Sequence, residues 1–139
     1  MKRILVIDDA ATVRMYHRTL LLEAGWQAEE AVNGLEALER VQALGDDDAF
    51  DLYLVDVNMP RMDGLRFVRE LRRLPLRHQA PVVMVSTEAQ PHDAAAALSA
   101  GANTYLVKPA RPGALQITVA LLLGDAGAAM RASCKETEA

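Results

Sequence analysis

Five short apolar runs, each followed by a segment of helical periodicity, constrain this chain more than any other feature. The runs are Ile4-Leu5-Val6-Ile7, a weaker one near Gln27 to Val32, Leu52-Tyr53-Leu54-Val55, Val82-Val83-Met84-Val85 and Tyr105-Leu106-Val107. The first, third and fourth are continuously apolar and β-branched, the pattern of strands covered on both faces. Between them, Val13, Tyr16, His17, Leu20 and Ala24 keep the spacing of one helix face. A second helix is expected from Asn33, with Glu36 as its capping-box pair. A third should run from about Gly64 to Leu74. A fourth spans Ala94 to Ala100, opened by Pro91 and ended by Gly101, and a fifth runs from near Pro112 to Gly124. Strict alternation of strand and helix implies a parallel sheet with right-handed crossovers and helices on both faces.

Composition narrows the class further. The chain has 139 residues, 51% of them apolar and 24% charged, which suits one globular domain. That domain is expected over residues 1–124, with 125–139 a small, polar, frayed tail. Gly45-Asp46-Asp47-Asp48 is read as a polar loop before the third strand. The net charge of -4 argues against nucleic-acid binding as a main task. A single cysteine, Cys134, excludes a disulfide framework and is read as an incidental exposed thiol. No apolar run is long enough for a membrane span and no signal-peptide pattern is visible, so a cytoplasmic location is expected.

The acids carry the functional signal. Asp8 and Asp9 follow the first strand directly, and Asp56 follows the third. In open α/β sheets, ligands bind beyond the carboxyl ends of the strands, where the connections reverse direction. Three carboxylates converging there would repel one another unless a cation holds them, and a hard, oxygen-liganded ion such as Mg²⁺ suits the cluster. Ser86 ends the fourth strand and Lys108 follows the fifth. Alone, each of these residues reads as a turn, cap or surface residue. Together they supply a metal site, a carboxylate nucleophile, a cationic arm and a hydroxyl, the parts needed to move a phosphoryl group onto an aspartate.

These residues and their spacing resemble the response-regulator receiver family, and within it the single-domain chemotaxis (CheY-like) type. The resemblance covers about residues 2 to 123. Its markers are Asp8-Asp9, the segment from Asp56 through Asn58-Met59-Pro60 to Asp63-Gly64, Ser86-Thr87-Glu88-Ala89, Gly101-Ala102 and Tyr105-Leu106-Val107-Lys108-Pro109. It implies a flavodoxin-like (βα)5 fold, doubly wound around a five-stranded parallel sheet of order 2-1-3-4-5. Asp56 would accept the phosphoryl group from a histidine kinase or phosphotransfer protein. Asp9, Asp56 and the Asn58 carbonyl would ligate Mg²⁺, with Asp8 acting through water. Ser86 would hydrogen-bond a phosphoryl oxygen, Lys108 would pair with the phosphoryl group or, at rest, with Asp56, and Tyr105 would be the aromatic switch. The Lys108-Pro109 bond would be cis. Asn58, Thr87 and Glu88 would tune the lifetime of the acyl phosphate, Thr87 standing where the chemotaxis protein has alanine. Such a receiver is a phospho-acceptor that assists its own transfer and dephosphorylation rather than an enzyme acting on other substrates.

Several features go beyond the shared pattern. Ala110 stands where a phenylalanine is common. The fifth helix is apolar nearly all round: Leu115, Val119 and Leu122 should cover the sheet, leaving Ala114, Ile117 and Leu121 outward. The face formed by the fourth helix, fifth strand and fifth helix is therefore expected to dock a protein target or a second copy of the chain. Arg66, Arg69 and Arg73 form a basic stripe on the third helix, read as a solvated face or a dock for an acidic or phosphorylated ligand. His17 reads as a packing residue, and His78 and His92 have no zinc spacing. Two rival readings remain: an interaction module indifferent to phosphorylation, and a Mg²⁺-dependent phosphatase of small phosphoesters. The intact aspartate, serine and lysine set weighs against the first. The second should need a substrate-capping segment.

Overall fold

The computed structural model describes residues 1–44 and 49–138, so the loop expected at Asp46-Asp47-Asp48 lies outside the described residues. The strands are β1 (Arg3–Ile7), β2 (Gln27–Ala31), β3 (Leu52–Asp56), β4 (Val82–Ser86) and β5 (Thr104–Val107). Between and after them come α1 (Ala11–Glu23), α2 (Gly34–Ala43), α3 (Gly64–Arg73), α4 (Pro91–Ala100), α5 (Pro112–Leu123) and α6 (Ala126–Glu138). All strand pairs are parallel, in the order β2-β1-β3-β4-β5. This is the flavodoxin-like arrangement.

Period-two alternation divides the sheet between two cores. Leu5, Ile7, Tyr53, Val55, Val82 and Met84 face one cluster, completed by Leu38 and Val41 of α2, Phe67 and Leu71 of α3 and Ala97 of α4. Ile4, Val6, Leu52, Leu54, Val83 and Val85 face the other, completed by Leu20 and Leu21 of α1 and Leu115 and Val119 of α5. Because strand residues alternate faces, continuously apolar strands are the sequence of a sheet covered on both sides.

The expected helix signals operate locally, with the Asn33–Glu36 capping box represented by its Asn33 half alone. Asn33 caps α2, its side chain accepting from Glu36 N at 2.9 Å. Asp63 caps α3 by accepting from Arg66 N at 2.8 Å. Gly101 and Gly124 end α4 and α5 in the left-handed region.

The tail differs from expectation. Residues 126–138 form α6 rather than a frayed segment. Its small residues look featureless in the sequence, but alanine is the strongest helix former. Asp125 secures the start, its carboxylate accepting from Ala128 N at 3.1 Å and from the Trp26 indole N–H at 3.0 Å. Ala128 and Ala132, one turn apart, are each only 2% exposed. Ala128 joins the α1–α5 cluster, with Ala129, Leu122 and Leu123 packed against it. Part of the second apolar face of α5 is thus covered by its own chain. Gln116, one of the two polar residues of α5, is buried and donates to the Leu20 carbonyl at 2.9 Å. Leu122 is only half-buried.

Candidate functional site

The strand register brings the expected residues to one edge. Ile7 pairs with Val55, Asp56 with Val85 and Ser86 with Val107, so the carboxyl ends of β1, β3, β4 and β5 finish together. Asp8 and Lys108 lie one residue beyond β1 and β5. Carboxylate oxygens of Asp8, Asp9 and Asp56 come within 4.8 Å of one another. Asp8 is 1% exposed and Asp56 6%, whereas Asp9 is open to solvent.

Local bonds aim these groups. Asp8 does not cap α1; it accepts from Ala10 N at 2.9 Å, a tight turn that holds its other oxygen toward the cluster. The backbone leaves β3 and turns sharply into α3, with Gly64 N donating to the Val57 carbonyl at 2.8 Å. Arg61, in that connection, holds a positive φ of 67°. The Lys108-Pro109 peptide is cis. Lys108 N donates to the Ser86 carbonyl at 2.7 Å, joining the two loops.

Lys108 is the cluster's internal counter-ion. Its Nζ lies 2.8 Å from Asp8 Oδ2 and 2.9 Å from Asp56 Oδ1. Burial pushes the Asp56 carboxyl above its usual range, Lys108 pulls it back, and the charges of Asp8 and Asp9 raise it again. Burial works against the Lys108 charge, yet its hydrogen bonds to Asp8 and Asp56 hold its pKa above the ordinary lysine value.

Ser86 is fully buried, and its Oγ accepts from Glu88 N at 3.1 Å. The Tyr105 hydroxyl donates to the Glu88 carbonyl at 2.6 Å, so Tyr105 and Ser86 hold the same short loop. Thr87, Glu88 and Asn58 are exposed around the cluster.

The remaining candidates lie apart. Leu121 is 68% exposed, while Ile117 and Ala114 are half-buried. Arg66, Arg69 and Arg73 are exposed, with Arg73 paired to Glu70 at 3.0 Å. Arg72 is no part of that stripe. It clamps α3 to the segment before β4 through the Ala80 carbonyl and to the segment before β5 through the Gly101 carbonyl and Asn103 Oδ1. Sequence reasoning also missed Tyr16, whose hydroxyl donates to the Ala110 carbonyl at 2.8 Å and fixes the loop after Lys108. Its helical periodicity signalled packing but not this bond.

The family description "Response regulator receiver domain" matches residues 4–120. The chain belongs to this family. Receiver domains are signalling modules of two-component systems, and they generally bind Mg²⁺ at an acidic pocket such as that of Asp8, Asp9 and Asp56. The receiver is 34% identical over 123 residues to "Chemotaxis protein CheY1" of Helicobacter pylori, covering 88% of this chain and 97% of that one. It is 39% identical over 106 residues to "Gliding motility regulatory protein" of Myxococcus xanthus, covering 76% of this chain but 13% of that longer protein. Among solved structures it is similar to chemotaxis protein CheY4 of Vibrio cholerae, with a TM-score of 0.77 and 34% identity over 88% of this chain and 98% of that one. A putative response regulator from Chloroflexus aurantiacus gives a TM-score of 0.81 at 30% identity, again over 88% and 98%. Among the described residues no helix is long and apolar enough to cross a membrane.

Proposed function

We propose that this receiver accepts a phosphoryl group on Asp56 from a phosphohistidine of a kinase or phosphotransfer protein and signals by protein contact. The observation that carries the reading is the placement of Asp56, buried beside two further carboxylates and bonded to Lys108. An ionised Asp56 oxygen attacks phosphorus, the donor's N–P bond breaks, and an acyl phosphate forms as the donor imidazole leaves. Lys108 keeps the buried carboxylate ionised, because its hydrogen bond opposes the desolvation that favours the protonated form.

An all-oxygen donor set fits Mg²⁺, with Asp9, Asp56 and the Asn58 carbonyl as ligands and Asp8 acting through water. Bound there, Mg²⁺ offsets the negative charge that collects as the phosphoryl group arrives. The Ser86 hydroxyl proton can donate to a phosphoryl oxygen, since among the described residues its Oγ accepts from Glu88 N and donates to none. Moving Ser86 toward the phosphate would disturb the loop that also holds Tyr105, which supports Tyr105 as the switch. Exposed Asn58, Thr87 and Glu88 flank the path of water and would set how long the acyl phosphate lasts. The α4–β5–α5 face, with Ala114, Ile117 and the exposed Leu121, is the proposed contact for a target or a second copy.

Beryllofluoride, a stand-in for the phosphoryl group, tests the reading. Fluorine NMR should show a bound species only with Mg²⁺ present, lost in Asp56→Asn. Proteins captured by the beryllofluoride form but not by Asp56→Asn would support a switch. Equal capture by both forms would favour an interaction module indifferent to phosphorylation.

A further inference from the structure

Beside the acidic cluster, on the far side of Lys108, lies a cavity of about 380 Å³ between α1 and the loop after β5. That volume falls in the range of small-molecule sites. Val13, the Tyr16 ring and Ala110 make most of its wall apolar, with Thr12 and Thr87 at its edges. His17 also lines it and is only 2% exposed, yet its Nδ1 has no hydrogen-bond partner. Buried polar atoms are rarely left unpaired, and such an orphan in a cavity wall points to a missing partner. The Tyr16 bond to the Ala110 carbonyl braces the wall, so the cavity is built into the fold.

We propose that this cavity binds a small neutral molecule with a one-ring or branched apolar body and a single hydroxyl group. Size and lining set the apolar body. The hydroxyl follows from His17: a neutral imidazole presents either a donor or an acceptor at Nδ1, and a hydroxyl satisfies both. Neutrality follows from Lys108, whose charge is already matched by Asp8 and Asp56 and so calls for no anion. An occupant would rest against Lys108 and Thr87, and would thereby bear on the acidic cluster. That coupling rests on the function proposed above, whereas binding does not.

The test uses p-cresol and toluene, a pair differing by one hydroxyl, with protein-observed NMR on the full chain in the wild type and in Asp56→Asn. In both proteins p-cresol should saturably shift the His17 ring and Ala110 methyl signals. It should bind about fivefold more tightly than toluene, the worth of one hydrogen bond. His17→Phe should abolish that difference, and Ala110→Leu should abolish binding of both probes. If Ala110→Leu does not fold, Thr12→Phe at the exposed rim should block entry instead. Shifts that stay linear to the solubility limit, or binding that survives in a folded cavity-filling variant, would overturn the site. Because Asp56→Asn removes the proposed acceptor, the cavity and the phosphoryl reading fail separately.

Discussion

Gly64 opens α3 where its backbone passes directly over the end of β3. A Cβ added there would lie 2.2 Å from the Asp56 carbonyl oxygen, 3.0 Å from its carbonyl carbon and 3.0 Å from Met84 Cε. In Gly64→Ala the oxygen must retreat by about 1 Å to reach ordinary van der Waals contact. The obstacle is strand backbone, so no side-chain rotation relieves it. Overpacking of this kind costs about 1–3 kcal/mol, and a backbone obstacle belongs at the upper end. Alanine's better helix propensity returns at most about 1 kcal/mol, and less at the first helical position. The net loss is roughly 2 kcal/mol, which lowers the urea midpoint by about 1 M at an ordinary denaturant slope. Moving the Asp56 backbone should also weaken Mg²⁺-dependent beryllofluoride binding. Gly124→Ala is the control. Its φ of +74° carries strain, but nothing lies within 4 Å of the added carbon, so it should lose stability without changing the site. A Gly64→Ala protein with wild-type midpoint and wild-type beryllofluoride binding would refute the close-approach argument.

Lys108→Met removes the one cation that, among the described residues, pairs with the Asp8 and Asp56 carboxylates, and should destabilise the metal-free protein by about 3 kcal/mol. Titrating Mg²⁺ into the variant should restore more melting temperature than it does in wild type, and a smaller gain counts against Lys108 as counter-ion. His17, held at about 4 mainly by burial, lies below its unfolded value of 6.5. The unfolded chain therefore takes up the proton first, and wild type should lose about 3 kcal/mol as pH falls from 6.5 to 4. His17→Phe should lack that slope in urea midpoints measured across the window, and subtracting the two curves cancels the contribution of Asp56. Asp125→Ala should fray the start of α6 and raise acrylamide quenching of Trp26; unchanged quenching would show that the indole bond does not hold the helix in place.

The sheet and most of the site were legible because their signals are local and repeated. A strand buried on both faces must be apolar at every position, so the ends of β1, β3 and β4 fall where that run meets Asp8, Asp56 and Ser86. Parallel pairing then aligns those ends without help from side chains. Lys108 was legible from the short apolar run of β5, which ends at Val107. Only one of its two partners was expected: the family resemblance paired it with Asp56, and the additional bond to Asp8 depends on how the β1–α1 turn aims one carboxylate oxygen.

What escaped the sequence depends on contacts between distant segments. The alanines of α6 have little apolar area, so their pattern is faint until α5 supplies a surface to receive them. The burial of Gln116 has no local signal, because its bond is to a carbonyl of α1, 96 positions away. Arg72 sits in an arginine-rich helix where composition suggests a solvated stripe, while its hydrogen bonds tie it to the chain between α3 and β5. In each case the deciding neighbours lie in another segment of the chain.

The charge balance at the strand ends explains why Lys108 should be retained in both states of the proposed switch. Three carboxylates against one ammonium leave the resting cluster negative, which burial makes costly and which the raised Asp56 pKa reflects. A divalent cation would bring that set near neutrality while competing with Lys108 for Asp56. A phosphoryl group then adds about one further negative charge together with new acceptor oxygens. At that point the ammonium again has an unmet partner within reach, and it can follow the charge without leaving the pocket. Lys108 N is bonded to the Ser86 carbonyl, so such a movement pulls on the same strand ends that carry Ser86 and, through Glu88, Tyr105. The resting ion pairs would therefore set the threshold of the proposed switch: the weaker the hold of Asp8 on Lys108, the less differential binding energy a phosphoryl group would have to supply to shift the population.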